Sequence, residues 1–599
     1  MKKMVEIRLY WNTVKNLKWI QIRHQIQKRV LKKFRTGCLP KKSINLEKCA
    51  NIGKIKIFIP ELDCEQTYLH RFQIEKLLHN QVELLHETYR IGRDWNISEA
   101  SHLWNYNLHY LEFLIPLAVK YREKLDEQYF IKWKEWMKSW LEQLSLDSLE
   151  AYTISMRIPN ILICMELLKE KLIGTDLERK LMNSLYQQYQ YLIRTQELAL
   201  LANHYFENLK TIVISSLFFN ELDVYHKYFS RFLGQIEEQI LSGGLHFELS
   251  LMYHKIILED ILRVYQVQNS LGQRRDAEKL TSVIQKMASV MTEVEDGFGD
   301  RTPLFNDAGN NVGKGKDELS RAVEKICRSW SSEKLLGKES TGDGGRSGNG
   351  KISGSEHIRA FAVAGYFKRM DNNMAVLFDC GDLGPSYMGG HGHCDCLSFE
   401  ISVKEKMLFV NSGTGQYQGA FRSFFRSTAA HNTLMIDDRE QSELWGEHRA
   451  ARRISNVKGR QIKNGFEGSF KSYYGDFFRR RLKWKGRNYL KITDDLVAHD
   501  KGIHTAREFL HLAPGYEYEK GEKQIRVKNG ERLAAMIHFS EISYVLIHKD
   551  GLFTIYGEEF GRYDKKQVLE IRTPFQDKIR IHMEIEFLYG YSQEHGQIV

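Results

Sequence analysis

The sequence predicts an α+β chain: a stack or ring of helical hairpins followed by an antiparallel β-sandwich. Three observations carry this. From about residue 65 to 330 apolar residues recur with helical spacing, and between Ser331 and Glu356 a Gly/Ser-rich run breaks the pattern. After that run the apolar spacing drops to two, with turn residues recurring to the C-terminus. At 599 residues the chain exceeds one ordinary core, so several domains are expected. They are a basic segment (1–60), a helical domain (61–335), a linker or loop (336–356) and a β domain (357–599).

The first segment carries 16 Lys/Arg against 2 Asp/Glu, a balance of +14 in a chain of net charge +11, so residues 61–599 sum to −3. By charge the body is therefore no nucleic-acid surface. The basic residues are interleaved with Trp11, Val14, Leu17, Trp19, Ile20, Ile26 and Leu31. That mixture suits packing on the main domain, the expected outcome, or peripheral contact of residues 1–35 with an anionic membrane. It lacks the continuous apolar stretch of a secretory signal, and no run of 18 apolar residues occurs elsewhere. A cytoplasmic or membrane-peripheral location is the expectation.

In the helical domain, Leu103–Leu114 opens one periodic segment and Ile154–Asn160 leads into another; 203–220 and 251–268 are further cases. About ten helices are expected, and with only 8 prolines they can run uninterrupted. No fixed-period repeat supports a regular solenoid. The linker has the composition of a flexible run. Beyond it, Met374–Asp379, Met407–Asn411, Thr433–Asp437, Tyr544–His548 and Ile579–Ile585 read as short strands of a sandwich. A cleft between the two layers is where a ligand site is expected, and a 12% aromatic content suits a sugar-lined one. The 8 cysteines show no framework spacing. Cys394-Asp395-Cys396 has no second pair to complete a structural zinc site, so free thiols in a reducing compartment are expected.

Three histidines stand out. His391 and His393 lie in Gly389-Gly-His-Gly-His-Cys-Asp just before the alternating Leu397–Ser402, and His431 stands at the entrance of the next apolar strand. On an extended backbone residues i and i+2 share a face, so the pair reads either as a catalytic or metal site or as hydrogen-bonded sheet histidines. The helical half adds Asn203, His204 and Glu207 at a helix start, and Glu248, Tyr253 and His254 at the next hairpin. Asn203 reads equally as an N-cap, and Tyr253 as a core aromatic.

Taken in order, these segments resemble the heparinase II/III-like polysaccharide lyases. The matching pieces are Trp104-Asn-Tyr-Asn-Leu-His-Tyr, Ile154-Ser-Met-Arg-Ile, Asn203-His204, Gly243-Gly-Leu-His-Phe-Glu through Met252-Tyr-His, and Leu304-Phe-Asn-Asp-Ala. They continue with Gly390-His-Gly-His-Cys-Asp-Cys-Leu-Ser-Phe-Glu, Phe409-Val-Asn-Ser-Gly-Thr, Arg426-Ser-Thr-Ala-Ala-His-Asn-Thr and Gln441-Ser-Glu-Leu-Trp-Gly. The resemblance spans roughly residues 60 to 590. It implies an N-terminal (α/α) toroid before the β-sandwich, and β-elimination across a uronic acid in an acidic polysaccharide.

Elimination requires dispersing the carboxylate charge, a base near C5 and an acid at the leaving oxygen. The resemblance places Asn203 at the carboxylate, Tyr253 as acid and, depending on the epimer, as base too, and His391 as the other candidate base. It places His204, Glu248 and Arg426 among substrate-binding residues. It also implies one divalent metal, zinc by preference and structural in role, on His393, Asn411 and His431. Asn411 stands where the family has an aspartate, and a neutral amide is the weaker ligand. The expected partner is a uronate polymer: heparan sulfate, heparosan, hyaluronan, chondroitin or alginate. The alternative is a non-catalytic or biosynthetic protein that binds a nascent surface polysaccharide. Three residues favour the enzyme, since Asn203, Tyr253 and His391 together exceed what binding needs. No carboxylate pair stands out for a hydrolase.

Overall fold

The computed structural model describes residues 2–31, 51–64, 71–143, 149–336, 359–522, 524–539 and 544–588. Residues 337–356 of the expected linker and 32–50 of the basic segment lie outside them. The helical domain is a double ring, and the sequence shows which helix belongs to which. Ala151–Leu167, Ala202–Phe218 and Leu251–Ser270 bury nearly every residue, charged ones included. Glu127–Glu142, Asp176–Thr195, Leu222–Gln239 and Arg274–Glu295 bury one stripe only. A helix buried all round sits inside, and an amphipathic one outside. Ala202–Phe218 accordingly packs against both buried neighbours and against the outer Leu222–Gln239. Helix starts are fixed by local chemistry: Ser101, Asp126, Thr175 and Ser250 each accept a hydrogen bond from a backbone N–H of the first turn. This is the (α/α) toroid that the resemblance implies.

The β domain is an antiparallel sandwich. One layer has eight strands, in the spatial order Ser455–Ile462, Gly465–Lys471, Phe477–Lys485, Tyr489–Val497, Lys578–Phe587, Arg532–Phe539, Gln524–Asn529 and Glu517–Lys520. Facing it are a five-stranded sheet, Arg359–Val363 to Lys406–Phe409, and a four-stranded one, Tyr544–His548, Val568–Gln576, Ile503–His511 and Leu434–Ile436. Alternation decides what fills the gap. Along Phe477–Lys485 the residues Phe478, Arg480, Leu482 and Trp484 point inward, and the buried Arg480 guanidinium is met by Asp494 on the next strand. A separate apolar cluster joins the two domains. Leu249, Met252, Phe298 and Phe305 from the helical side meet Tyr366, Leu377, Val410 and Phe560 from the sandwich.

The basic N-terminus forms two helices, Lys2–Val14 and Trp19–Leu31, that pack. They do not lie on the toroid's outer face. They bridge the domains beside the cleft between them: Arg8 pairs with Glu443, Asn16 donates to the Ala451 carbonyl, Lys18 pairs with Glu238, and Gln21 donates to the carbonyls of Leu200 and Tyr387. The anchoring is polar, and Trp11 and Trp19 stay 62% and 74% exposed. Among the described residues no helix is long and apolar enough to cross a membrane.

Candidate active site

A cleft of about 1810 Å³ runs between toroid and sandwich, lined by Asn203, His204, Tyr253, His391, Tyr417 and His448 among others. The toroid delivers its groups from the first turns of neighbouring inner helices. Asn203 is the second residue of Ala202–Phe218, and Tyr253 the third of Leu251–Ser270. The N-cap of the former is Leu201, with no side-chain cap bond, so Asn203 is not the cap. Leu201 and Ala202 instead take positive φ of 63° and 49°, an uncommon backbone for such residues. The turn sets the Asn203 amide at the cleft, its Oδ1 buried and unpartnered. An unpartnered buried amide oxygen is costly unless a ligand uses the group.

The sandwich contributes the histidine segment. Residues 389–395 form a loop, not the extended strand the spacing suggested, so His391 and His393 diverge. Gly392 makes the loop possible: a Cβ there would sit 2.3 Å from the Leu383 carbonyl oxygen. His391 faces the cleft, stacked on Tyr253 with centroids 4.4 Å apart and planes at 8°. Its Nδ1 lies 2.6 Å from Glu248 Oε2 and its Nε2 3.2 Å from the Tyr253 hydroxyl. A carboxylate at Nδ1 holds the proton there and turns the Nε2 lone pair toward Tyr253. The Tyr253 hydroxyl is also 2.7 Å from that of Tyr417. Burial, reinforced by Tyr417, Asp307 and Glu248, pushes the Tyr253 hydroxyl well above its ordinary pKa. It is therefore a proton donor in the resting protein. Burial opposes ionisation of Glu248, but His391 outweighs it and draws that carboxyl below its ordinary value.

His204 stands on the other side of Asn203, its Nδ1 3.2 Å from Glu197. Burial works against its charge, yet the Glu197 carboxylate prevails and raises its pKa. An imidazole whose charged form Glu197 favours, next to the Asn203 amide, whose Nδ2–H groups are donors, is a seat for a carboxylate.

Two expected substrate ligands have other tasks. Glu248 is buried outside the cleft lining and, among the described residues, hydrogen-bonds only His391 and the Asn203 backbone N–H, so it orients the His391 ring. Arg426 is 2% exposed, and its donors go to the carbonyls of Gly389, Gly392 and Glu447. It braces the histidine loop. The sequence reading missed Tyr417, Glu197, and the buried pair of Asp307 with Arg422. Arg422 and His393 hold the Asp307 carboxyl well below the usual range against the pull of burial. Asp307 does stand inside a quoted motif, but nothing in a short motif shows that it meets residue 422.

His393 and His431 come together as expected, with ring centroids 5.4 Å apart. The third group beside them is the Asp395 carboxylate, and the ligand atoms of these three lie within 4.8 Å of one another. Asn411 is fully buried with both amide atoms unpartnered. His393 Nδ1 and both ring nitrogens of His431 are likewise buried without partners, while His393 Nε2 sits 2.8 Å from Asp307. Unpaired imidazole nitrogens, one ring oriented by an outer carboxylate, fit a metal ion.

The chain matches the family models described as Heparinase II/III N-terminus over residues 47–336 and Heparinase II/III-like, C-terminal over residues 353–574. It is 24% identical over 394 residues to a heparin-sulfate lyase of Bacteroides thetaiotaomicron; the match covers 58% of this chain and 53% of that relative. Among solved structures, a heparinase III superposes with a TM-score of 0.67 at 17% identity, covering 94% of this chain and 88% of that one. The heparan sulfate lyase HepC of Pedobacter heparinus gives 0.54 at 15% identity, covering 90% and 87%. These structures share the fold. With both family models matched in order over most of its length, the chain belongs to the heparinase II/III-like family.

Proposed function

We propose that this chain cleaves an acidic, uronate-containing polysaccharide by β-elimination, leaving an unsaturated uronate end. The observation that carries the reading is the Glu248–His391–Tyr253 chain of contacts opening on the cleft beside the unpartnered Asn203 amide. The uronate carboxylate sits against Asn203 and His204, which take up the charge that grows as the C5 proton leaves. His391, held by Glu248 with its Nε2 lone pair turned toward Tyr253, is the base on one epimer. Tyr253, protonated in the resting state, passes its proton to the leaving glycosidic oxygen. Tyr417 donates toward the Tyr253 oxygen and steadies the phenolate formed at that moment.

His393, Asp395 and His431 are the residues that would hold zinc; two imidazoles and a carboxylate are a set zinc takes. When bound, the ion adds positive charge beneath the histidine loop and braces it. A chelator should then lower the melting temperature, since a ligand of the folded state alone stabilises it. Elemental analysis without a transition metal, together with an unmoved melting temperature, contradicts the site.

The relatives' names point to heparan-type polymers as the first to try. Purified protein is incubated with heparan sulfate, heparosan, hyaluronan, chondroitin and alginate, and the ultraviolet absorbance of the unsaturated uronate is followed. Product from one or more polymers is expected. Polymer retained without any unsaturated product would favour the binding protein instead.

A further inference from the structure

Most cations of the cleft are already matched by carboxylates. Lys210 meets Glu207 and Asp260, Arg263 meets Asp63 and Glu259, and Lys314 lies 3.6 Å from Glu112. Arg449 is different. It lines the cleft, it is exposed, and among the described residues no carboxylate pairs with it. Its guanidinium lies over two aromatic rings, 4.5 Å from the Trp445 centroid and 5.4 Å from that of Tyr10. Those rings meet edge to face at 4.6 Å, and both line the cleft.

The group is a built arrangement. Trp445 and Arg449 are cross-strand partners in a two-residue ribbon, and the indole N–H donates to the Thr13 hydroxyl at 2.9 Å. Arg449 donates to the Tyr10 hydroxyl at 3.4 Å. The turn joining the two strands is held from below, where Arg422 and Arg426 donate to the Glu447 carbonyl. The same turn carries His448, whose ring is 6.0 Å from that of Tyr417, the neighbour of Tyr253. The group therefore adjoins the reacting centre.

We propose that Tyr10, Trp445 and Arg449 form a subsite for a second acidic sugar of the polymer, next to the one being cleaved, and that the N-terminal hairpin supplies part of it. This rests on the lyase reading. Aromatic rings offer apolar area to the C–H face of a pyranose, and a guanidinium without a carboxylate partner pairs with the carboxylate of that ring. The ligand is thus a uronate, with a sulfate ester as the other anion the same arm can hold. The hairpin, remote in sequence from every catalytic residue, becomes a determinant of affinity.

The test uses the full chain carrying Tyr253→Phe, which keeps the ligand intact, and a short unsulfated oligosaccharide of the polymer the wild-type chain cleaves. Adding Arg449→Ala should raise Kd about ten- to a hundredfold, the range for hydrogen bonds to a charged group. Adding Tyr10→Phe, which keeps the ring, should change it far less. The same oligosaccharide with its carboxyls reduced to alcohols should bind the two arginine states alike, and a sulfated one tells whether a sulfate replaces the carboxylate. An unchanged Kd in Arg449→Ala, or equal weakening for the native and reduced ligands, overturns the subsite. Absence of unsaturated product from the wild-type chain overturns the lyase reading instead, and an unsulfated heparosan oligosaccharide then serves as the ligand in the same Kd comparison.

Discussion

Tyr253 and His391 are stacked ring on ring, so Tyr253→Phe removes one hydroxyl and leaves the stack. Turnover should drop by about two to four orders of magnitude with the melting temperature nearly unchanged; near-normal turnover would take the residue out of the chemistry. Asn203→Ala separates two roles just as cleanly. The amide caps no helix, so stability should hold, whereas turnover should fall much further than substrate affinity because the carboxylate charge grows in the transition state. Equal losses in both would mean that Asn203 merely binds. At this scale the sequence showed residue types and chain order but not partners. Asn203, Tyr253 and His391 stood in quoted motifs, and the fold brings them to one cleft. Arg426 stood in a motif as well, yet its guanidinium points into the protein, because a side chain's direction depends on a backbone path that spacing does not encode. Asp395 was passed over between two cysteines that drew attention to sulfur.

Helices and strands were legible wherever one periodicity dominated. Met374–Asp379 and Tyr544–His548 are strands because each is a short apolar run, buried at all six positions in the first and carrying Val545 and Ile547 in the second, and Ala202–Phe218 is a helix despite its polar start. The histidine segment was misread as extended since its glycines permit many paths, and the one taken is set by contact with Leu383, a tertiary fact. The N-terminal hairpin shows the same limit: its charge suggested a surface, but it is anchored by two ion pairs and by the neutral amides of Asn16 and Gln21. Gln21 is the most buried of them, bonded to carbonyls on both sides of the cleft. Gln21→Ala should weaken docking by about 1 kcal/mol. Residues 1–31 should then be cut sooner in limited proteolysis while the remainder resists; an unaltered cleavage time course would show that other contacts suffice.

The whole molecule carries buried neutral histidines whose charging opposes folding. His246 and His254 are each lowered to about 4, chiefly by burial. The unfolded chain, with ordinary histidines, binds more protons than the folded one between that value and about 6.5, so stability is full above this window and falls as pH drops through it. His204, raised by Glu197, and His504, raised by Asp437, act in the opposite sense, as do the buried carboxyls of Asp395 and Glu400, which burial pushes up. A His254→Gln chain lacks one of these groups, so its melting temperature should gain on that of the parent as pH drops from 7 toward 4; profiles that stay parallel would contradict the burial of this pair. The architecture was readable from composition and periodicity because a change of repeat at the linker divides the chain. A cleft between the halves was expected as well, but which side chains line it was not legible, since that is decided only where the two halves meet. That has a consequence for how the molecule comes into being. Glu248 and His391 are 143 positions apart, Tyr253 and Tyr417 164, and Arg8 and Glu443 435. Closing such long loops is slow, and N-terminal segments leave the ribosome first. The toroid can mature while the sandwich is still being made, but no reactive centre exists until the last strands have docked. On the lyase reading a partly synthesised chain should cleave nothing, and activity regained on refolding should be the latest signal to return.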